Sequence, residues 1–178
     1  RDLNLNTVCK EANCPNLGEC YRKHTSTFMI LGSICTRNCR FCNVTTGHPL
    51  PPAPEEPMNV AKAAKKLGLR HVVLTCSTRD DLPGGAEQFA KCVRAIRELC
   101  LGITVETLIS DMKMNTDALD IVIAAHPEVL NHNVETVKEL QAAVRPQARY
   151  ERSLNVLRYC KEKAPSLLTK TGFMVGLG

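Results

Sequence analysis

No stretch of this sequence approaches the roughly 20 consecutive apolar residues that a membrane-spanning helix requires. The apolar run "TFMILGSI" (27–34) is only long enough for a strand. The opening residues "RDLNLNTVCKEANC" lack the apolar core of a secretory signal, and a start at Arg1 leads us to expect a segment upstream. Basic runs interleaved with aromatics, the footprint of nucleic-acid binding, are missing, as are internal repeats and low-complexity tracts. These absences argue against a membrane protein and against a nucleic-acid partner. What is there is the composition of a folded domain, 44% hydrophobic and 23% charged. At 178 residues one sizeable core is expected, and the net charge of +5 suits solubility and an acidic partner without naming one.

Cysteine is the departure. The chain has ten, below the density of a small disulfide scaffold, and six fall within the first 42 residues. Cys9, Cys14 and Cys20 form C-x4-C-x5-C; Cys35, Cys39 and Cys42 form C-x3-C-x2-C. A disulfide framework is formally possible, but the remainder reads as a reduced intracellular enzyme, where such clusters bind metal. The other four are assigned to packing: Cys92, Cys100 and Cys160 lie on apolar helical stripes, and Cys76 ends a strand as a small hydrophobe bordering a pocket.

Beyond residue 57 the apolar periodicity alternates between helix and strand. Val60, Ala64 and Leu67 share a helical face that stops at Gly68, and "HVVLTC" (71–76) reads as a buried strand. Phe89, Val93, Ile96 and Cys100 mark the next helix, and "ITVETLI" (103–109) the next strand. "NTDALDIVIAAH" is expected as helix and "EVLNHNV" as strand. Further helices are expected on Val137, Leu140 and Val144, and on Leu154, Leu157 and Cys160, before "LLTKTGFMVGLG" closes as strand and glycines. With "TFMILGS" first, about five βα units result: an α/β fold with a parallel sheet, curled into a partial barrel or left open. "GHPLPPAPEEP" is a surface connection within it.

In such folds ligands gather where strands end, and Cys35 directly follows the first strand. A zinc ribbon would pair two C-x2-C knuckles, whereas only Cys39 and Cys42 make one. Three thiolates on a four-iron cluster leave one iron open, and that open position is where a reactant would bind.

C-x3-C-x-Φ-C with Phe41 before the last cysteine resembles the signature of the radical S-adenosylmethionine (SAM) superfamily. The resemblance implies a 4Fe-4S cluster on Cys35, Cys39 and Cys42 that binds SAM and cleaves it reductively to methionine and a 5′-deoxyadenosyl radical. "VCKEANCPNLGEC" followed by "TSTFMILGSICTRNCRFCNV", with "RDDLPGGAEQFA", "VLNHNVETV", "VRPQARYERSL" and "TKTGFMVGLG", is similar to the lipoyl synthase family across nearly the whole chain. That likeness implies a second, auxiliary 4Fe-4S cluster on Cys9, Cys14 and Cys20, sacrificed as sulfur donor. It also implies sulfur insertion at C6 and C8 of an octanoyl chain on a lipoyl carrier domain or H protein. The electron donor would be a ferredoxin or flavodoxin, and the compartment the cytoplasm, or a mitochondrial or plastid matrix in a eukaryote.

The resemblance divides the chain into an extension over residues 1–26 and a partial barrel over 27–178. Family members continue past Gly178 through another βα unit and a segment whose serine completes the auxiliary cluster, so this chain is expected to lack the C-terminal part. "MVGLG" lacks a glutamate that commonly follows it, and Cys76 and Thr78 stand where many relatives have Ser and Asp.

Around SAM the expected contacts are Phe41 on adenine and Thr75, Glu106 and Asn133 on the methionyl and ribose parts. Arg145 is expected on the carboxylate, its planar fork matching that geometry. Lys170 is a further cation near a strand end, and Gly176 and Gly178 permit close backbone approach. His132 is expected to be structural, and Asp80–Asp81 to cap the following helix or to contact the carrier. A tRNA methylthiotransferase-like enzyme and a non-enzymatic metal module are the alternative readings.

Overall fold

The computed structural model describes residues 6–7 and 17–177. The chain runs through β1 (Asn6–Thr7), α1 (Leu17–Arg22) and β2 (Thr25–Ile30), then two short strands, β3 (Ile34–Cys35) and β4 (Thr45–Thr46). Next come α2 (Glu56–Lys66), β5 (His71–Cys76), α3 (Ala86–Leu99) and β6 (Thr104–Leu108). The remainder is α4 (Thr116–Ala124), β7 (Val129–Asn131), α5 (Gln141–Val144), α6 (Tyr150–Lys163) and β8 (Leu168–Lys170).

The main sheet has the order β1-β2-β5-β6-β7-β8. β1 pairs antiparallel with β2, an addition that the sequence pattern did not reveal; the five following strands are all parallel. Each parallel strand lies beside its predecessor, so the strand order never reverses. A doubly wound sheet must reverse at a switch point. Strictly sequential βα units instead curl as a partial barrel, with helices outside and one strand face inside.

The pleat sorts residues between these sides. Phe28, Ile30, Val72, Leu74, Val105 and Leu130 join Val60, Ala64, Phe89, Val93, Ile96, Leu119 and Val122 in one core between strands and helices. Cys92 and Cys160 belong to that core, and Cys100 packs partly buried against it. The Pro-rich connection before α2 is exposed.

Two helical expectations shift. The stretch carrying Val137, Leu140 and Val144 forms a 3-10 turn, Lys138–Leu140, and only the single turn of α5. Val137 is extended and exposed, while buried Gln141 donates its side-chain amide to the carbonyls of Val134 and Thr136 at 2.8 and 3.1 Å. Closing those loop carbonyls outweighs the apolar spacing. In α6 the buried face is Ser153, Val156 and Cys160, one position away from Leu154 and Leu157. The reason is polar: Ser153 Oγ donates to His132 Nε2 at 2.9 Å inside the protein.

The loop between β5 and α3 presses on a strained turn. Met112, Lys113 and Met114 are consecutive left-handed residues, with φ of 44°, 51° and 58°. Gly84, itself at φ 61°, lies against Met112, whose side chain occupies the space a Cβ would need. We expect Gly84→Ala to destabilise the chain by about 1–3 kcal/mol through overpacking and left-handed strain. The midpoint of urea unfolding reads this directly, and an unchanged midpoint would show that the turn yields.

Candidate functional site

Residues on the inward face of the strands fall into register rows. Met29 pairs with Thr75, Thr75 with Leu108, Leu108 with Asn131 and Asn131 with Lys170, a continuous row across all five parallel strands. Thr27, Val73 and Glu106 form the row behind it. Both rows line a cavity of about 550 Å³, within the range of small-molecule sites. The cysteine loop, following β2, places Cys35, Cys39, Phe41 and Cys42 on the same cavity. Phe41, Thr75, Glu106, Asn133 and Arg145, all expected around SAM, border it as well, as do Cys76 and Lys170, whereas Gly176 does not and Gly178 lies outside the described residues. Cys20 lies on α1 and does not border it, while Cys9 and Cys14 are outside the described residues.

The cysteine loop is held from several sides. β3 and β4 pair in parallel and close it at its base. Thr36 bonds Thr78 through both its amide (3.0 Å) and its hydroxyl (2.9 Å), and the Arg40 amide donates to the Val144 carbonyl at 2.9 Å. Arg37, only 4% exposed, makes a bidentate pair with Asp80 (2.8 and 2.8 Å) and reaches Asp111 at 2.6 Å. Burial disfavours the Arg37 charge, but the hydrogen bonds it donates to both carboxylates outweigh it and raise its pKa. Asp111, fully buried, is likewise pulled below the usual carboxylate range: burial opposes ionisation, and Arg37 overcomes it. The expectation that Asp80–Asp81 cap the following helix is therefore corrected. Asp80 clamps Arg37, Asp81 pairs with buried Arg79 at 2.7 Å, and the N-cap of α3 is Gly85, with no side-chain cap.

Inside the cavity, Glu106 is already engaged. It accepts from Asn131 Nδ2 at 2.8 Å and from Lys170 Nζ at 3.0 and 3.1 Å, with His71 Nε2 at 3.5 Å. Burial alone would raise its pKa; the hydrogen bonds from His71, Lys170 and Asn131 reverse this and bring it to about 2. Thr75 Oγ1 donates to the Leu108 carbonyl at 3.1 Å. Arg145 Nη1 donates to the carbonyls of Asn133 and Val134 at 3.2 and 3.0 Å. Burial raises the Cys39 thiol pKa, and the neighbouring Arg145 charge opposes that rise. Asn133 sits so close to Gly172 that an added Cβ there would lie 2.8 Å from its Oδ1.

Two buried polar atoms among the cavity-lining residues have no partner: Arg145 Nε and Asn131 Oδ1. A buried donor and a buried acceptor left open are costly unless a ligand completes them. Asn131 was not singled out in the sequence; its place in a register row, two residues before Asn133, is the signal that could have found it. Cys76 is half-buried, packed against the core and bordering the cavity, and desolvation pushes its thiol up to about 12. His132 holds Ile109 O through Nδ1 at 2.9 Å and Ser153 through Nε2, and burial lowers its pKa, so it is a neutral structural histidine.

The cysteine sulfurs suit a cluster better than a single ion. Among the described residues no three His, Cys, Asp or Glu groups close on one point. Ligands to separate irons need a shared cavity wall rather than one focus, and Cys35, Cys39 and Cys42 supply it.

The model of the radical SAM superfamily matches residues 29–178. The chain is 58% identical over its whole length to lipoyl synthases of Caldanaerobacter subterraneus subsp. tengcongensis and Rubrobacter xylanophilus. It spans 63% and 56% of the length of those two relatives. Among solved structures, methylornithine synthase superposes with a TM-score of 0.69 at 20% identity, covering 86% of this chain and 45% of that one. HydG, a maturase of the FeFe hydrogenase, gives 0.71 at 13% identity, covering 99% and 42%. At such identities these two speak to the fold alone.

The Glu106 cluster sets a pH dependence. Its folded pKa lies below the ordinary 4.5, so its contribution is complete above about 4.5 and drains away as pH falls through about 2. The shift corresponds to on the order of 3 kcal/mol. We expect wild-type chain to exceed Glu106→Gln in unfolding free energy by roughly 2–3 kcal/mol near neutral pH, the gap closing toward about pH 2. Urea titrations across that range measure it; a gap independent of pH would mean that the carboxylate charge carries none of the stability.

Proposed function

The chain belongs to the radical SAM superfamily, and from that premise we propose that it is a lipoyl synthase, inserting two sulfur atoms at C6 and C8 of a protein-bound octanoyl chain. Membership implies a 4Fe-4S cluster and SAM as cofactors. The observation that carries the reading is the meeting, on one cavity, of the C-x3-C-x2-C cysteines with Asn131 and Arg145, each of which keeps one buried polar atom without a partner. The likeness to two lipoyl synthases at 58% identity supports sulfur insertion as the chemistry.

Cys35, Cys39 and Cys42 would hold the cluster on the rim. When bound, that cluster supplies the electron and the open iron used in reductive cleavage of SAM. The chain's own residues do the rest by binding and exclusion. Arg145 Nε offers a donor to the SAM carboxylate, and Asn131 Oδ1 an acceptor for a hydroxyl or amine. Thr75 and Asn133, which line the cavity, would meet the methionyl and ribose portions, and Phe41, 38% exposed, would offer a face to adenine. Glu106 keeps Lys170 and Asn131 in place from behind. Met29, Val73 and Leu108 give apolar walls, which keep water from a carbon radical.

Cys9, Cys14 and Cys20 would hold the second, auxiliary cluster as sulfur donor. An octanoylated lipoyl carrier domain or H protein would present the substrate, and a ferredoxin or flavodoxin the electron. No nucleic acid and no membrane enters the scheme; no helix among the described residues is long and apolar enough to cross one. A cytoplasmic setting, or a mitochondrial or plastid matrix in a eukaryote, completes it.

Two variants test the division of labour. After anaerobic reconstitution with iron and sulfide, Cys39→Ala should lose reductive SAM cleavage, read as 5′-deoxyadenosine by chromatography. Formation at the parent rate would overturn the cluster assignment. Cys14→Ala should retain part of that cleavage yet add no sulfur to an octanoyl carrier peptide, read by mass spectrometry. Two added sulfurs would remove the first triple from the role of donor.

A further inference from the structure

We propose that Arg37 is a positioning residue that sets the reduction potential of the iron–sulfur group on its loop, acting through a hydrogen bond to Cys35. The inference rests on the reading that Cys35, Cys39 and Cys42 hold such a group. Arg37 lies between two of those cysteines, and a guanidinium has no acceptor with which to ligate iron. Its backbone is nevertheless poised: the Arg37 amide donates to Cys35 Sγ at 3.3 Å, and its carbonyl accepts from Thr46 Oγ1 at 3.1 Å.

The side chain holds that peptide in place. Nε and Nη2 fork onto Asp80, and Nη2 also reaches Asp111. The second Asp111 oxygen accepts from Arg152 Nη1 of α6 at 3.2 Å. Arg152 Nη1 also donates to the Gln147 carbonyl at 3.4 Å, and Gln147 Nε2 donates to Asn38 Oδ1 at 2.7 Å. Asn38 is the residue after Arg37, so the connections form a closed ring from the cysteine loop through α6 and back. Asp80 is itself fixed by its amide on Thr36 Oγ1 at 3.0 Å.

Two arginines face two aspartates in this ring, and Lys113 adds a further positive charge 3.9 Å from Asp80 at its exposed edge. The influence we assign to Arg37 runs through geometry, in the direction of the amide that meets Cys35 Sγ. An N–H aimed at a ligating sulfur stabilises the added electron density of the reduced state, which makes reduction easier. Loosening the ring turns that amide away and lowers the potential.

The test compares Arg37→Lys and Thr46→Val with the wild-type chain after anaerobic reconstitution, at matched iron and sulfide content. Lysine keeps the charge but loses the bidentate fork. Thr46→Val leaves the buried ions intact and removes only the bond to the Arg37 carbonyl. Arg97→Lys serves as control, since Arg97 pairs with Glu128 at 2.6 Å at the opposite end of the strands. In redox titrations followed by electron paramagnetic resonance, both loop variants should reduce at more negative potential with altered spectra. Arg97→Lys should keep the wild-type potential even where its thermal midpoint falls. Unchanged potentials and spectra in both loop variants would overturn the proposal and leave the ring with folding alone. Absence of a four-iron signal in the wild-type chain that Cys39→Ala removes would instead overturn the underlying reading, and the proposal with it.

Discussion

A guanidinium buried beneath the cysteine loop is the constraint on which the site depends. Arg37 at 4% exposure would be intolerable alone, because an unpaired charge in a protein interior loses far more solvation than packing returns. Two carboxylates must therefore be brought to it. Asp80 comes from the loop after β5 and Asp111 from the loop after β6, and Asp111 in turn needs Arg152 from α6. Three segments far apart in sequence thus converge to satisfy one side chain. The left-handed run Met112–Met114, directly after Asp111, persists where this convergence over-determines the backbone.

The second organising fact is the pleat of five parallel strands. One face supplies apolar side chains to the core with the helices; the other carries the rows that meet the cavity. Because alternate residues face opposite ways, shifting one strand by a residue would exchange Thr75 for a core position and break both surfaces together. Stability and binding site are in this sense one pattern read on two sides. Polar residues on the inner rows are tolerated because they pair across neighbouring strands, as Glu106 does with Asn131 and Lys170.

Much of this architecture was legible in the chain itself. Periodicity located α2, α3, α4 and the parallel strands, because each buries a continuous apolar face whose spacing survives in the sequence. The stretch from Val137 to Val144 misled for the converse reason: its apolar spacing is helical, but Gln141 closes loop carbonyls that a helix would not present. In α6, Leu154 and Leu157 pointed to the wrong face since Ser153, a polar residue, turns inward to serve His132. Asp80 and Asp81 looked like helix caps, as acidic residues before a helix often are. Asp80 finds Arg37 through packing between loops, which no local pattern records, while Asp81 turns back on Arg79, two residues before it in the same loop.

By itself the sequence determined the cysteine spacing, the βα alternation and the polar residues near strand ends, since each depends on neighbours only a few positions away. Tertiary structure alone decided that Thr75, Glu106, Asn133 and Arg145 share a cavity with Cys35, Cys39 and Cys42. It also decided that Glu106 is spent on Lys170 and Asn131, leaving Asn131 Oδ1 and Arg145 Nε as the open groups. The physical reason is that hydrogen-bond capacity is finite: which atoms remain for a ligand follows only after every neighbour, near or distant in sequence, has taken its share.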